Sequence, residues 1–592
     1  MAGYNVVPTT YEGKTMYMVV KGDVVTAQDF MDETSAEVVK LEATTPGNAL
    51  AVTVGDDIAT ETAQTAEYVE VAENVTLTVK DNATLNVGNG GLVLAEENSK
   101  LEVEAGGTVV VGTNGIISTS ESNIVLNVEE TSTTSGSSYT YSTLLLNPNV
   151  TLNTTPLATY RFTSKSSFDP STNKTVYQRF GMPVASDSYV NFKYANAADQ
   201  TAAEAGTLQT YICHWDYDAD AWSDWDLLAA GGNNYASSAV MPFFCYEMVS
   251  NNDADHPVTY EFSGRLMGNT DAPLNFHEGW NPYANSYTAP INTESFLNRI
   301  VDAYAVDDNI QATIYLYIAR ANNTYRWQPV NLANSTRAAF SEIKPMQAFI
   351  MLLQKGSSAA AQIDYAEAIY NPAMGIAAAP ARRSARPAFD RLAVRVEDAA
   401  GLDDEVTLME SARFSSALDN GYDSRKYMND DVNIYAMDGD NRMSDVATDD
   451  VEGLFLGFET KQAGVYTLSF PEADMSYALR DMATNTVINM TEGATYTFSA
   501  EAGADDYRFQ VVAVRPVTTA MDYIASDINI WTANNTLYVA DNSSDIRIFA
   551  MNGQLVMNIA ANGETIQAVN LDGLHAGAYL VRVADKSLKI VK

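Results

Sequence analysis

Residues 75–119 read VTLTV (75–79), ATLNV (83–87), GLVLA (91–95), SKLEV (99–103), GTVVV (107–111) and GIIST (115–119), six pieces whose starts are eight residues apart. Leu77, Leu85, Val93, Leu101, Val109 and Ile117 share one phase, and Val79, Val87, Ala95, Val103 and Val111 follow two positions later. Side chains two apart lie on the same face of a strand, so this spacing predicts short strands with one apolar face. Turn formers separate them: Asp81-Asn82, Gly88-Asn89-Gly90-Gly91, Glu97-Asn98, Gly106-Gly107 and Thr113-Asn114-Gly115. A strand this short cannot bury its face alone, and stacked repeats share one core. The preferred geometry is an octad-repeat β-solenoid with about three strands per coil; a run of plain hairpins is the alternative.

Outward from the repeat the chain reads as all-β. Residues 1–70 form a mixed or capping segment with a short helix expected near 27–42. The repeat occupies 71–155. An aromatic-rich antiparallel β module follows over 156–375, with strands such as SYVNFKYA and QATIYLYIAR. It contains a predicted helix at NTESFLNRIVDAYAV, with Asn292 or Thr293 as cap and Phe296, Leu297, Ile300 and Val301 on one face. Residues 376–391 are a basic Pro/Ala linker carrying Arg382, Arg383, Arg386 and Arg391. Residues 392–515 read as a β-sandwich. Residues 516–592 read as a small C-terminal β-sandwich with Asn-Gly turns at 552–553 and 562–563.

The 592 residues include 35 Lys+Arg against 75 Asp+Glu, a formal charge of −40. A surface of that sign repels phosphate backbones and anionic membranes, so nucleic acid is not an expected partner. No apolar run is long enough to span a bilayer. The opening MAGYNVV lacks a basic segment followed by an apolar one. Either a leader was removed ahead of this numbering or the chain never had one.

Chemistry is sparse. There are four histidines and two cysteines. Cys213 and Cys245 flank strand-like segments and could form a disulfide; two buried free thiols are the alternative. His214 adjoins Cys213, but neighbours along a strand point to opposite faces, which argues against a dyad. Asp216, Asp218 and Asp220 place alternate carboxylates suited to Ca²⁺, without the glycine and glutamate of an EF-hand loop. Trp215, Tyr217, Trp222 and Trp225 cluster beside them and could stack on sugar rings. Polysaccharide lyases also use solenoids, but Lys80 and Lys100 are the only cations between 71 and 130, too few to stabilise an enolate-like intermediate.

The last residues resemble the C-terminal sorting domain of type IX secretion substrates of Bacteroidetes. The resemblance is carried by Gly553-Gln554-Leu555-Val556, by Leu574 through Val583 with Gly577, Tyr579 and Val581, and by Lys589-Ile590-Val591-Lys592. Upstream, GWNPYANSYTAPI (279–291) is similar to a stretch common in secreted Bacteroidetes proteins, and KPMQAFI (344–350) to the one that usually follows it. Residues 389–515, with Asp419-Asn420-Gly421-Tyr422-Asp423, are similar to the β-sandwich that often precedes the sorting domain. The resemblance implies export by the type IX machinery, an extracellular or outer-membrane-surface address, and removal of the tail between about 515 and 528. The expectation is a non-enzymatic structural or adhesive protein that self-associates through unpaired strand edges. A secreted enzyme acting on polysaccharide or peptide, or the surface fibre of a phage of such bacteria, are the alternatives.

Overall fold

The computed structural model describes residues 64–592 apart from connecting segments, the longest being 370–387 and 515–528; before residue 64 it describes the backbone of five strands. The expected helix near 27–42 falls largely outside the described residues, and Val38–Glu42 is a strand. Among the described residues the fold is all-β with three helices, Ala197–Glu204, Thr293–Tyr304 and Tyr365–Ala368. Asn292 caps the second of these: its Oδ1 accepts from Ser295 N at 2.9 Å.

The octads lie in two parallel ladders. Leu77 pairs with Leu101, Leu85 with Val109 and Leu92 with Ile116, so the first octad meets the fourth, the second the fifth and the third the sixth. Each corner is turned by a residue in the left-handed region, and each recurs one rung later: Asn74 and Asn98 (φ 61° and 61°), Asn82 and Gly106 (60° and 92°), Gly91 and Gly115 (83° and 65°). Asparagine and glycine tolerate that region best. The Asn98 side chain donates to Asn74 Oδ1 at 3.2 Å, tying successive rungs across a spacing of 24 residues. Gly107 is held to its identity by a close approach: a Cβ there would lie 2.8 Å from the carbonyl oxygens of Val79 and Lys80 on the preceding rung.

One expectation fails within the third octad. Leu92 and Leu94 are buried, and Val93 is only half-buried. Strand Thr84–Leu94 runs unbroken through two octads, and Gly91 at positive φ resets the alternation of its side chains.

The ladder does not stop at residue 155. Ile124–Thr133 pairs in parallel with Lys100–Val103 and with Leu157–Ser164, which pairs antiparallel with Val258–Arg265. One continuous core follows it, from Val69 and Leu101 through Tyr160 and Phe262 to Met346. The other ladder ends on Thr143–Leu146, and the next module covers its free edge. Leu144 N donates to Thr288 O at 2.8 Å, Thr288 Oγ1 donates to Leu144 O at 2.6 Å, and the Tyr365 hydroxyl meets both Leu146 N and O at 3.3 and 3.0 Å.

The two segments similar to secreted-protein motifs are neighbouring strands. Within Ala272–Ala284 and Ala348–Ile363, Pro282 faces Ile350 and Tyr283 faces Phe349. Residues 390–513 differ from the expected sandwich. Hydrogen bonds join their strands into one 11-stranded sheet that curls around a single core containing Leu392, Ile434, Phe458, Leu468 and Phe509. Register shifts at Ala393/Arg395 and Leu456/Phe458 mark where it bends.

Candidate functional site

Three places concentrate chemistry: an inter-module clasp, a cation–aromatic seam and the C-terminal module. The clasp centres on the loop containing Asp419-Asn420-Gly421-Tyr422-Asp423. Asn420 Oδ1 accepts from Ala312 N at 2.7 Å while its amide donates to Ile310 O at 3.0 Å. Leu332 N donates to Gly421 O at 2.8 Å. Gly421 sits at φ 92°, and a Cβ there would stand 3.0 Å from both Leu332 and Val301. Asn331 Nδ2 donates to Tyr422 O, Ser424 Oγ and Asp445 Oδ2 at 2.9, 2.9 and 3.2 Å. Arg320 spends its guanidinium on Asp403 and Asp431, with contacts of 2.7–3.1 Å, and on Tyr325 O at 2.9 Å.

Burial pushes two carboxyls of this clasp up, Asp423 to about 7 and Asp445 to about 6. Their unfolded values are near 4, so the folded chain holds more protons than the unfolded chain over the interval between. The stability that this supplies is complete below about pH 4 and lost as the pH rises through about 6 to 7. The unfolding midpoint of the clasped modules should therefore fall from about pH 4 to about pH 7 and level off above, and the slope should flatten in Asp445→Asn; thermal melts across that range measure it.

The seam joins the repeat region to the aromatic module. Arg179 bonds Glu247 at 2.6 Å and lies 5.1–5.9 Å from the rings of Trp222, Tyr317 and Trp327. Lys165 pairs with Glu130 at 2.5 Å and sits 4.1 Å above Tyr325. Nothing local in the sequence marks these partners, which come from distant strands.

Cys213 and Cys245 are buried free thiols, so the candidate disulfide is absent. The antiparallel register places Glu247 opposite Cys213, while Trp215 N bonds Cys245 O at 3.0 Å, which sets the two sulfurs two positions apart along the ladder. Burial raises both thiols, Cys213 to about 12, which keeps them from the reactive thiolate form. His214 Nδ1 meets Ser223 Oγ at 3.3 Å. Of the calcium candidates, Asp218 and Asp220 lie outside the described residues, and Asp216 Oδ1 accepts from Ala219 N at 3.1 Å. Of the aromatic cluster, Tyr217 also lies outside them. Trp215 packs edge-on to Trp222 at 5.5 Å, whereas Trp225 pairs with Tyr177 at 6.2 Å, and both members of that pair are exposed.

The C-terminal module packs a three-stranded sheet (Asn529–Ala533, Thr536–Ala540, Ile566–Asn570) on a four-stranded one (Ile546–Ala550, Leu555–Ile559, Ala578–Val583, Lys586–Val591). Leu537, Val539, Ile546, Ile548, Val581, Val583 and Ile590 fill the space between them. Gly553, at φ 86°, turns the hairpin ahead of Leu555. Gly577 and Lys592 exchange two backbone hydrogen bonds of 3.0 Å, so the final residue is locked into the sheet. Tyr579 is buried and its hydroxyl donates to His575 O at 2.8 Å. The Lys592 ammonium donates to Leu571 O. Lys589 stands on the outer face, opposite Leu580.

Residues 525–592 match the family described as secretion system C-terminal sorting domain. The chain ends in a type IX sorting domain. Over 303 residues it is 24% identical to the minor fimbrium subunit Mfa5 of Porphyromonas gingivalis, covering 45% of this chain and 24% of that protein. The chain thus spans about a quarter of that relative's length. Among solved structures, the BSP domain of a biofilm associated protein aligns over 74% of this chain and 95% of that one at 9% identity, with a TM-score of 0.11. The sorting domain places the chain at the cell surface or outside the cell. No described helix is long and apolar enough to cross a membrane.

The sorting domain docks on the preceding sheet through four rings. Trp531 stacks on Tyr538 at 5.3 Å and reaches Phe455 at 4.9 Å, while Tyr507 lies 5.3 Å from Phe455 and 6.5 Å from Tyr538.

Proposed function

We propose that this chain is a non-enzymatic structural or adhesive component of the bacterial surface, exported by the type IX machinery and built around a β-solenoid stalk. The observation that carries the reading is the sorting domain, with its last residue locked into the sheet, joined to a long ladder of parallel strands. The similarity to a fimbrial subunit supports it. Self-association, where it occurs, uses the end of the stack opposite the edge sealed by Thr288 and Tyr365. A glycan contact would fall on the exposed rings of Tyr177 and Trp225.

A chain ending at Val514, expressed in a type IX-competent host, should fold yet remain in the periplasm, while the full chain reaches the surface. Immunogold microscopy should place the full chain on surface appendages. Surface display of the truncated chain would refute the sorting reading. Label scattered with no appendage, together with unchanged cell adherence on deletion of the gene, would refute the structural and adhesive one.

A further inference from the structure

We infer that the outer face of the four-stranded sheet in the sorting domain is the surface read during export, and that its partner is a protein presenting an apolar patch with an acidic rim. The inference rests on the sorting reading above and names the face on which it acts. The motif divides in two by side-chain direction. Tyr579, Val581 and Ile590 point into the core and account for the fold. Leu555, Leu580 and Val591 point outward and are 48%, 39% and 77% exposed, so folding gives no reason for their apolar character.

The outward positions form ordered rows. Phe549 faces Leu555 on one side and Leu580 on the other, and Leu580 faces Lys589. The next row runs Asn558, Arg547, Arg582, Ser587. An apolar strip is thus bordered by Arg547, Arg582 and Lys589, and no Asp or Glu stands among these outward residues. Among the described residues none of the three cations takes part in an ion pair. The surrounding chain is the reverse: residues 525–592 hold five Lys+Arg and six Asp+Glu, and almost the whole formal charge of −40 lies upstream. Unpaired cations beside an exposed apolar strip, on a chain of opposite sign, are complementary to an acidic-rimmed apolar surface. The face lies on rigid paired strands and needs no rearrangement to be presented.

The test compares three variants in a type IX-competent host: two full-length ones, Leu555→Ser with Leu580→Ser and Arg547→Glu with Arg582→Glu, and the chain ending at Val514. The first two should lower surface display by about tenfold or more, the loss expected when residues central to an interface are removed. Purified from the periplasm, they should melt with the wild-type profile, which separates recognition from folding. Normal display of both outward variants, with the truncated chain retained, would overturn the face and leave the sorting reading intact. Display of the truncated chain would overturn both. Co-flotation of the wild-type chain with phosphatidylglycerol vesicles, lost in the Arg547→Glu, Arg582→Glu variant, would assign the face to lipid and overturn the protein partner.

Discussion

Arg320→Ala is expected to destabilise the joined modules by about 3–5 kcal/mol, the cost of breaking a buried, hydrogen-bonded charge pair from one side. The side chain is 1% exposed and Asp403 is 3% exposed, so solvent does not screen the interaction or replace it. Losing the guanidinium strips donors from the Asp403 carbonyl and carboxylate, from Asp431 and from Tyr325 O at once. Arg395 and Arg326 remain 3.0 and 3.5 Å from Asp403 and keep the loss from being larger. Denaturant titration of the full chain measures it. Arg320 also joins residues on either side of the 376–391 linker, so the variant should split one unfolding transition into two. A loss under about 1 kcal/mol with a single transition would show that the remaining clasp suffices without it.

Val581→Asp should have the larger consequence for the cell. Val581 is fully buried between the two sheets of the sorting domain. An unpaired carboxylate there costs several kcal/mol, comparable to the whole stability of a domain this small. Calorimetry should show the sorting domain's transition vanish while the upstream transitions stay in place, and export should cease. This is the counterpart of the outward variants, which spare the fold. If Val581→Asp were displayed normally, recognition would depend on the linear motif alone and not on the folded sandwich.

The sequence was most informative where the determinants are local. Eight-residue punctuation marked the corners at Asn82, Asn98 and Gly106, because a left-handed residue is needed wherever each turn closes. Asn292 was readable as a cap because its partner lies three residues on. Glycine at 553 and the alternation through Tyr579, Val581 and Val583 announced the final hairpins. What stayed hidden depends on which distant strands meet. The register that puts Glu247 opposite Cys213, with the two thiols unbonded, is set by strand Tyr246–Ser250. Whether 390–513 closes as two sheets or one depends on pairings such as Thr407 with Asp445, which no periodicity encodes. Arg320 carried no local signal at all. The Asp419–Asp423 segment is legible as a motif, but its role as a plug between modules depends on the partners Ile310, Ala312 and Leu332.

The closure of strand Thr143–Leu146 by Thr288 and Tyr365 also limits what many copies together can build. Among the described residues the strand at the far end of that sheet is Asn5–Tyr11, so copies that added strand to strand there would meet through the same surface on each and then stop. Such a union would be a finite pair. An unbounded polymer would demand a second, unlike contact elsewhere on the molecule, and that contact, not the repeat, would set its length.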